Sequence, residues 1–292
     1  MTYTMQPPDL KRLKEKAIRF LELHHTGRIL VLPNAWDVPS ARIFENAGFP
    51  AIATTSGGVS VSLGYPDGEN ISRDEMLSAV SRIASSVSVP VSADMESGFG
   101  NTAREVAETA RRVITAGAIG LNIEDSSKKK HGQLIDPSVQ AENIKAVKRV
   151  AQSMDVPLVV NARTDAFRYA SGDANNRLSE VVRRGKLYIE AGADCIFAFG
   201  VRDAESISRI VKELNFPVNI IAGAETPTIS ELEKIGVARA SLASGPARAA
   251  YGLVKRIAQE LREDGTYDAL TSGAITHQEL NELAVPRKSV TD

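Results

Sequence analysis

Asp94 and Glu96 stand two residues apart at the end of the run Val89-Pro90-Val91-Ser92-Ala93, just ahead of Ser97-Gly98-Phe99-Gly100. The run reads as a short buried strand. Side chains two apart on a strand point the same way, so both carboxylates project from one lip of a sheet. Held that close, they repel each other unless a cation, a proton or a base lies between them. Other short apolar runs also end in polar groups: 120–125 ends in Glu124 and Asp125, and 157–163 carries Asn161 and Arg163. Any one of these acids alone also fits a solvated turn or an ion pair with a neighbouring helix. Several converging carboxylates with room for water suit Mg2+, or Mn2+, whereas zinc wants histidine or cysteine. The histidines, His24, His25, His131 and His277, all fall outside the strand-like runs. Those runs also hold no lysine, which argues against Schiff-base chemistry.

The elements that must position these groups repeat along the chain. Eight strand-like runs occur at 29–36, 51–58, 89–96, 120–125, 157–163, 194–200, 217–223 and 239–245. Helical patterns follow, with apolar residues at three-to-four spacing and a capping residue or proline at the start, as in 72–87, 102–117 and 137–154. Gly192 and Gly236 sit where helix C-caps fall. Repeated β-then-α units imply a parallel sheet with right-handed crossovers. Eight of them imply an α/β fold, a closed (β/α)8 TIM barrel. A doubly wound open sheet is the runner-up, but it favours a glycine fingerprint after the first strand, where this chain has Asn34-Ala35-Trp36-Asp37. An amphipathic helix over 9–26, capped by Asp9, precedes the barrel, and C-terminal helices with a tail from about Asp264 follow it. No linker divides the chain, so residues 1–292 are expected to form a single barrel domain. Active sites in such barrels lie at the C-terminal ends of the strands, which gathers the acids above into one mouth.

Composition narrows the function. The 292 residues are 43% hydrophobic and 24% charged, ordinary for one large core. A net charge of -1 indicates no basic surface for nucleic acid. No apolar run reaches the roughly 20 residues of a membrane span, and charges stand where a signal peptide would be apolar. The one cysteine, Cys195, excludes an internal disulfide framework and reads as a buried thiol in a reducing compartment. The expectation is a cytoplasmic protein that acts on a small molecule, with neither nucleic acid nor membrane as partner.

Taken in order, Ser56-Gly57-Gly58, Gly64-Tyr65-Pro66-Asp67, Asp94-Met95-Glu96-Ser97-Gly98-Phe99-Gly100, Asn122-Ile123-Glu124-Asp125 and Asn161-Ala162-Arg163-Thr164-Asp165 resemble the isocitrate lyase/phosphoenolpyruvate mutase superfamily. The similarity runs over about 29–251 and falls in the phosphonomutase-like branch. It implies Mg2+-dependent chemistry on small 2-oxo or 2-hydroxy carboxylates, in which C–C or P–C bonds are made or broken through an enolate-like pyruvate intermediate. It implies that Asp94 holds the metal, directly or through water, with Glu96, Glu124 and Asp67 around it. It implies that Arg163 grips the substrate and that Ser56, Gly57, Gly58 and Asn219 contact it. From the residues alone, Arg163 also fits an ion pair with Glu124, and Ser56-Gly57-Gly58 a turn that needs positive φ. Finally, the resemblance implies a homotetramer, a dimer of dimers whose subunits exchange a C-terminal helix.

Departures from the family pattern bear on the activity. Isocitrate and methylisocitrate lyases carry Lys-Lys/Arg-Cys-Gly-His after strand four; here Lys129-Lys130-His131-Gly132 lacks the cysteine. Phe199 stands where those lyases have a strand-six glutamate. The loop also lacks the Lys-Thr-Asn segment of phosphoenolpyruvate mutases. The polar loop 126–136 is expected to be a mobile lid, with His131 as a proton donor beside the catalytic Arg163 and Glu124. The function expected is a Mg2+-dependent lyase that cleaves a C–C bond in, or decarboxylates, a small 2-oxo or 2-hydroxy carboxylate. The alternatives are a P–C mutase or hydrolase acting on phosphonopyruvate-type substrates, and a barrel that binds a metabolite without turning it over.

Overall fold

The structure is a computed structural model and describes residues 9–126 and 132–284. Its strands are β1 (Leu30–Leu32), β2 (Asn34–Ala35), β3 (Ile52–Thr54), β4 (Val91–Asp94), β5 (Gly120–Glu124), β6 (Val159–Thr164), β7 (Cys195–Ala198), β8 (Val218–Ile221) and β9 (Arg239–Ser241). All pair in parallel, in the order β1-β9-β8-β7-β6-β5-β4-β3-β2. The two outer strands of that order are neighbours in the chain, separated only by Pro33. Proline has no N–H to give to a ladder, so the strand is interrupted there, although the Pro33 carbonyl still accepts from the Ala53 N–H at 2.9 Å. The first half pairs with β9 and the second with β3. Counted as one strand, they close the barrel from the eight runs legible in the sequence.

The helices are α1 (Leu10–Leu23), α2 (Val38–Asn46), α3 (Ser56–Ser62), α4 (Arg73–Ser86), α5 (Ala103–Thr115), α6 (Pro137–Ser153), α7 (Ala166–Tyr169), α8 (Ala174–Glu190), α9 (Ala204–Leu214), α10 (Ile229–Ile235), α11 (Gly245–Glu263), α12 (Asp268–Thr271) and α13 (His277–Ala284). Their starts follow the local chemistry. The Asp9 carboxylate accepts from the N–H groups of Lys11 and Arg12, and Ser72 with Glu75 and Thr102 with Glu105 form reciprocal caps. Gly236 ends α10 with a φ of 94°, as the sequence requires of a helix C-cap.

One end of the barrel is plugged. A Cβ on Gly120, the first residue of β5, would fall 2.8 Å from Cε1 of Phe20. The guanidinium carbon of Arg239, the first residue of β9, lies 6.0 Å from the same ring. Helix α1 therefore covers the N-terminal ends of the strands and leaves the C-terminal ends for chemistry. Cys195 is buried as expected, and burial pushes its thiol up to about 12, out of the range of a nucleophile. Among the described residues no helix is long and apolar enough to cross a membrane.

Candidate active site

Asp94 ends β4 at the open mouth. Its Oδ2 accepts from both the backbone N–H and the hydroxyl of Ser56, at 2.9 and 2.8 Å. Ser56 thus orients the carboxylate expected to hold metal. Ser56-Gly57-Gly58 is not a turn with positive φ; it opens α3, and the two glycines answer to space. A Cβ on Gly57 would lie 3.0 Å from Oδ2 of Asp67, and one on Gly58 would lie 2.9 Å from Cβ of Trp36. The Asp67 carboxylate therefore sits directly over Gly57. Burial raises its pKa, and the charge of Asp94 raises it further.

Glu96 is only 5% exposed, sits in the left-handed region at φ 51°, and its Oε1 has no hydrogen-bond partner. Burial, then the charges of Asp94, Glu69, Asp67 and Glu124, push its pKa up to about 9. An orphaned buried carboxylate oxygen among mutually repelling acids is what a divalent cation relieves. Among the described residues, no three acidic, histidine or cysteine side chains converge closely enough to ligate one ion together. A cation held here would draw few direct ligands from the chain and would have to keep much of its water, as Mg2+ can.

Glu124 ends β5 opposite Arg163 on β6. Its Oε2 lies 2.8 Å from Nη1 of Arg163, and its Oε1 accepts from the Ser126 hydroxyl. Burial pushes Glu124 up to about 7 against the pull of the guanidinium. Arg163 is further clamped by Asp165, with Nε to Oδ1 at 2.7 Å and Nη2 to Oδ2 at 3.0 Å. Its face lies on Phe199, with the guanidinium carbon 3.7 Å from the ring centre. Burial works against the charge of Arg163, but Glu124 and Asp165 outweigh it and hold the pKa above the ordinary value. One N–H on each of its three nitrogens is engaged, so a second N–H on each terminal nitrogen remains for a ligand. The expected ion pair with Glu124 is present, and the clamp by Asp165 is an addition that sequence reasoning did not single out.

Glu124, the last residue of β5, and Asp125, just after it, face opposite ways. Glu124 bonds Arg163 in the mouth, whereas Asp125 is fully buried against α8. Its Oδ2 accepts from Thr164 Oγ1 at 2.8 Å, Arg184 Nη1 at 2.9 Å and Tyr188 Oη at 2.7 Å, and its Oδ1 from the Asp165 N–H at 2.9 Å. The two-residue period of a strand was the signal that separates these neighbouring acids.

Asn219 is fully buried inside the barrel and donates to Ser241 Oγ at 3.2 Å, while its own Oδ1 has no hydrogen-bond partner. Beside it in register lies Arg239, also fully buried. One of its terminal nitrogens reaches Asn122 Oδ1 at 3.4 Å, and burial lowers its pKa to about 10. Its apolar flanks in the sequence gave no hint of it. His131 and Lys128-Lys129-Lys130 lie outside the described residues, as does the middle of the expected lid. At the base of that loop, Ser126 bridges Leu134, and the Ile135 N–H donates to the Asp125 carbonyl at 2.9 Å.

Comparison with known proteins places this geometry. The family profile described as phosphoenolpyruvate phosphomutase matches residues 20–262. An uncharacterized protein of Mycobacterium tuberculosis is 37% identical over 78% of this chain and 82% of its own. A 2-methylisocitrate lyase of Halalkalibacterium halodurans is 30% identical over 97% of this chain and 93% of its own. Among solved structures, a phosphonopyruvate hydrolase in complex with oxalate and Mg2+ superposes with a TM-score of 0.81, at 28% identity, over 92% of this chain and 94% of that one. The barrel, its acid-lined mouth and these matches agree: the chain belongs to the isocitrate lyase/phosphoenolpyruvate mutase superfamily and is an enzyme of it.

Proposed function

We propose that the protein is a Mg2+-dependent lyase that cleaves a C–C bond in, or decarboxylates, a small 2-oxo or 2-hydroxy carboxylate, leaving an enolate-like pyruvate unit. The observation that carries this reading is Arg163, pinned by Glu124 and Asp165 and facing a set of buried acids whose mutual repulsion a cation would relieve. Asp94 would hold the ion, directly or through water, with Asp67, Glu96 and Glu124 around it. When bound, the ion supplies Lewis-acid stabilisation to the oxygen that gains charge as the bond breaks.

The chain's own residues do the rest. Ser56 holds Asp94 in one orientation. The two remaining N–H groups of Arg163 bind the substrate's carboxylate or developing oxyanion; a fixed donor of this kind is typically worth ~10²–10³ in rate. Phe197 and Phe199, in edge-to-face contact at 5.8 Å, wall the arginine from water.

The same reading extends to assembly as a homotetramer. Helix α11 has Ala247 as its one buried residue, while Tyr251, Val254 and Leu261 are exposed along it, and Tyr267, Leu270, Ile275 and Leu280 are exposed beyond. So long an apolar margin supports a covering second copy.

The test is a proton and phosphorus NMR time course with Mg2+ and a panel of oxaloacetate, 2-methylisocitrate, isocitrate, malate-type acids and phosphonopyruvate. A 2-oxo acid released from a carbon acid, and lost with EDTA, is the expected result. Phosphate or phosphoenolpyruvate from phosphonopyruvate would move the protein to P–C chemistry. Mg2+-dependent binding with no product anywhere would favour the metabolite-binding barrel.

A further inference from the structure

Arg163 does not hold itself in place. The clamp that fixes it, Asp165, is the residue just after β6, where the strand turns into α7. Its carboxylate is turned onto Arg163, and its backbone N–H donates to Asp125. Asp125 also takes the hydroxyl of the preceding Thr164, so two successive residues of the turn hang on one carboxylate. From the other side that carboxylate is held by Arg184 and Tyr188, both on α8 and both buried. Arg184 is in turn fixed by Glu180 through Nε at 2.7 Å, and its Nη1 donates to the Ile135 carbonyl at 3.0 Å. A continuous chain of charged and hydrogen-bonded groups thus runs from the helix layer to the arginine in the mouth.

We propose that Asp125 is a positioning residue for Arg163: through the Thr164–Asp165 turn, and braced by Arg184 and Tyr188, it sets the direction of the guanidinium that receives the substrate's anionic group. The inference rests on the reading above that Arg163 contacts such a group. A carboxylate that only filled a buried ion pair with Arg184 would have no need of the Asp165 N–H and the Thr164 hydroxyl. Asp125 takes both, and both belong to the segment that carries the clamp. Partners that orient a site residue from behind typically change affinity or activity by about 10–100-fold when removed.

The experiment uses the full chain with Asp125→Asn, Asp165→Asn and the double variant. Calorimetry with Mg2+ alone and with oxalate plus Mg2+ gives one readout. The ¹⁵N spectrum of the arginine side chains gives another, with the Arg163 Nε–H identified by its loss in Arg163→Lys. For Asp125→Asn, the expected results are about tenfold weaker oxalate binding, little change in Mg2+ affinity, and faster exchange of the Arg163 Nε–H with water. The double variant should be no weaker than Asp165→Asn alone, because the two changes act along one path. Additive losses, or unchanged exchange of the Nε–H, would overturn the proposal. Should Asp125→Asn not fold, Tyr188→Phe removes one brace and keeps the ring; faster Nε–H exchange is again expected, and unchanged exchange again refutes. If the wild-type protein with Mg2+ fails to bind oxalate at all, the functional reading falls, and Nε–H exchange alone decides whether Asp125 orients Arg163.

Discussion

The guanidinium of Arg163 lies face-on to the ring of Phe199, 3.7 Å from its centre. The ring's negative face attracts the cation, and Phe197 meets Phe199 edge to face behind it. Such a contact is worth about 0.5–2 kcal/mol, which converts to roughly 2- to 30-fold in binding. Phe199→Leu keeps an apolar wall but removes the ring. Calorimetry should show Mg2+-dependent oxalate binding weakened within that range, with the thermal midpoint little changed because Phe199 is only partly buried. Equal affinity for both proteins would mean the ring does not hold the arginine.

Gly57 offers a separation of stability from binding. Alanine in its place would bring a Cβ to 3.0 Å from Asp67 Oδ2 and push that carboxylate aside. Gly57 lies within α3, where alanine is favoured over glycine by up to ~1 kcal/mol. The expected outcome of Gly57→Ala is a thermal midpoint that stays or rises and Mg2+ binding that weakens by roughly tenfold. Both fall to one pair of experiments, thermal melting and calorimetric titration. Unchanged metal affinity would place Asp67 outside the metal's surroundings.

The acid cluster sets a pH dependence. Glu96 has its folded pKa raised from 4.5 to about 9. Between those values the folded protein holds more protons than the unfolded chain, so stability falls as pH rises through the window. Metal-free protein in EDTA should therefore lose thermal stability steadily from about pH 5 to about pH 9. Glu96→Gln should flatten the slope, and saturating Mg2+ should shrink it by meeting the charge. A slope that survives Glu96→Gln would assign it to other groups.

Val254 on α11 is 60% exposed. If that margin is covered by a second copy, Val254→Asp places a charge in the interface. Light scattering should give a tetramer for the wild type and smaller species for the variant. A wild-type monomer at working concentration would refute the assembly.

The architecture was legible because each βα unit carries its own punctuation, and eight such units have one common closure. The strand-end charges were legible for the same reason: Asp94, Glu96, Glu124 and Arg163 end apolar runs, and the barrel brings those ends together. Residues that work by touching other site residues were harder to see. Ser56, expected beside the substrate, also gives its N–H and hydroxyl to Asp94, a contact its sequence position does not announce. The glycines beside it suggested an unusual backbone angle, but the cause is a carboxylate brought near from a loop ten residues on. Arg239 acts through Asn122, far along the chain, and no local pattern announces such a contact; Asp165 lies only two residues from the arginine it clamps, but past the end of the strand, where the two-residue period no longer says which way a side chain points.

The adjacent carboxylates at the C-terminal end of β5 also bear on how such a barrel can change. Glu124 faces the mouth and Asp125 faces α8, each with its own bonded arginine, Arg163 and Arg184. Inserting or deleting one residue within β5 would swap their faces. Neither arginine would then meet the carboxylate it is fitted to, leaving Arg163 with Asp165 and Arg184 with Glu180 alone, and breaking a buried pair typically costs about 3–5 kcal/mol. Diversification in length is thereby confined to the loops beyond the strand. New specificity can be grafted there, while the strand itself is locked from both sides.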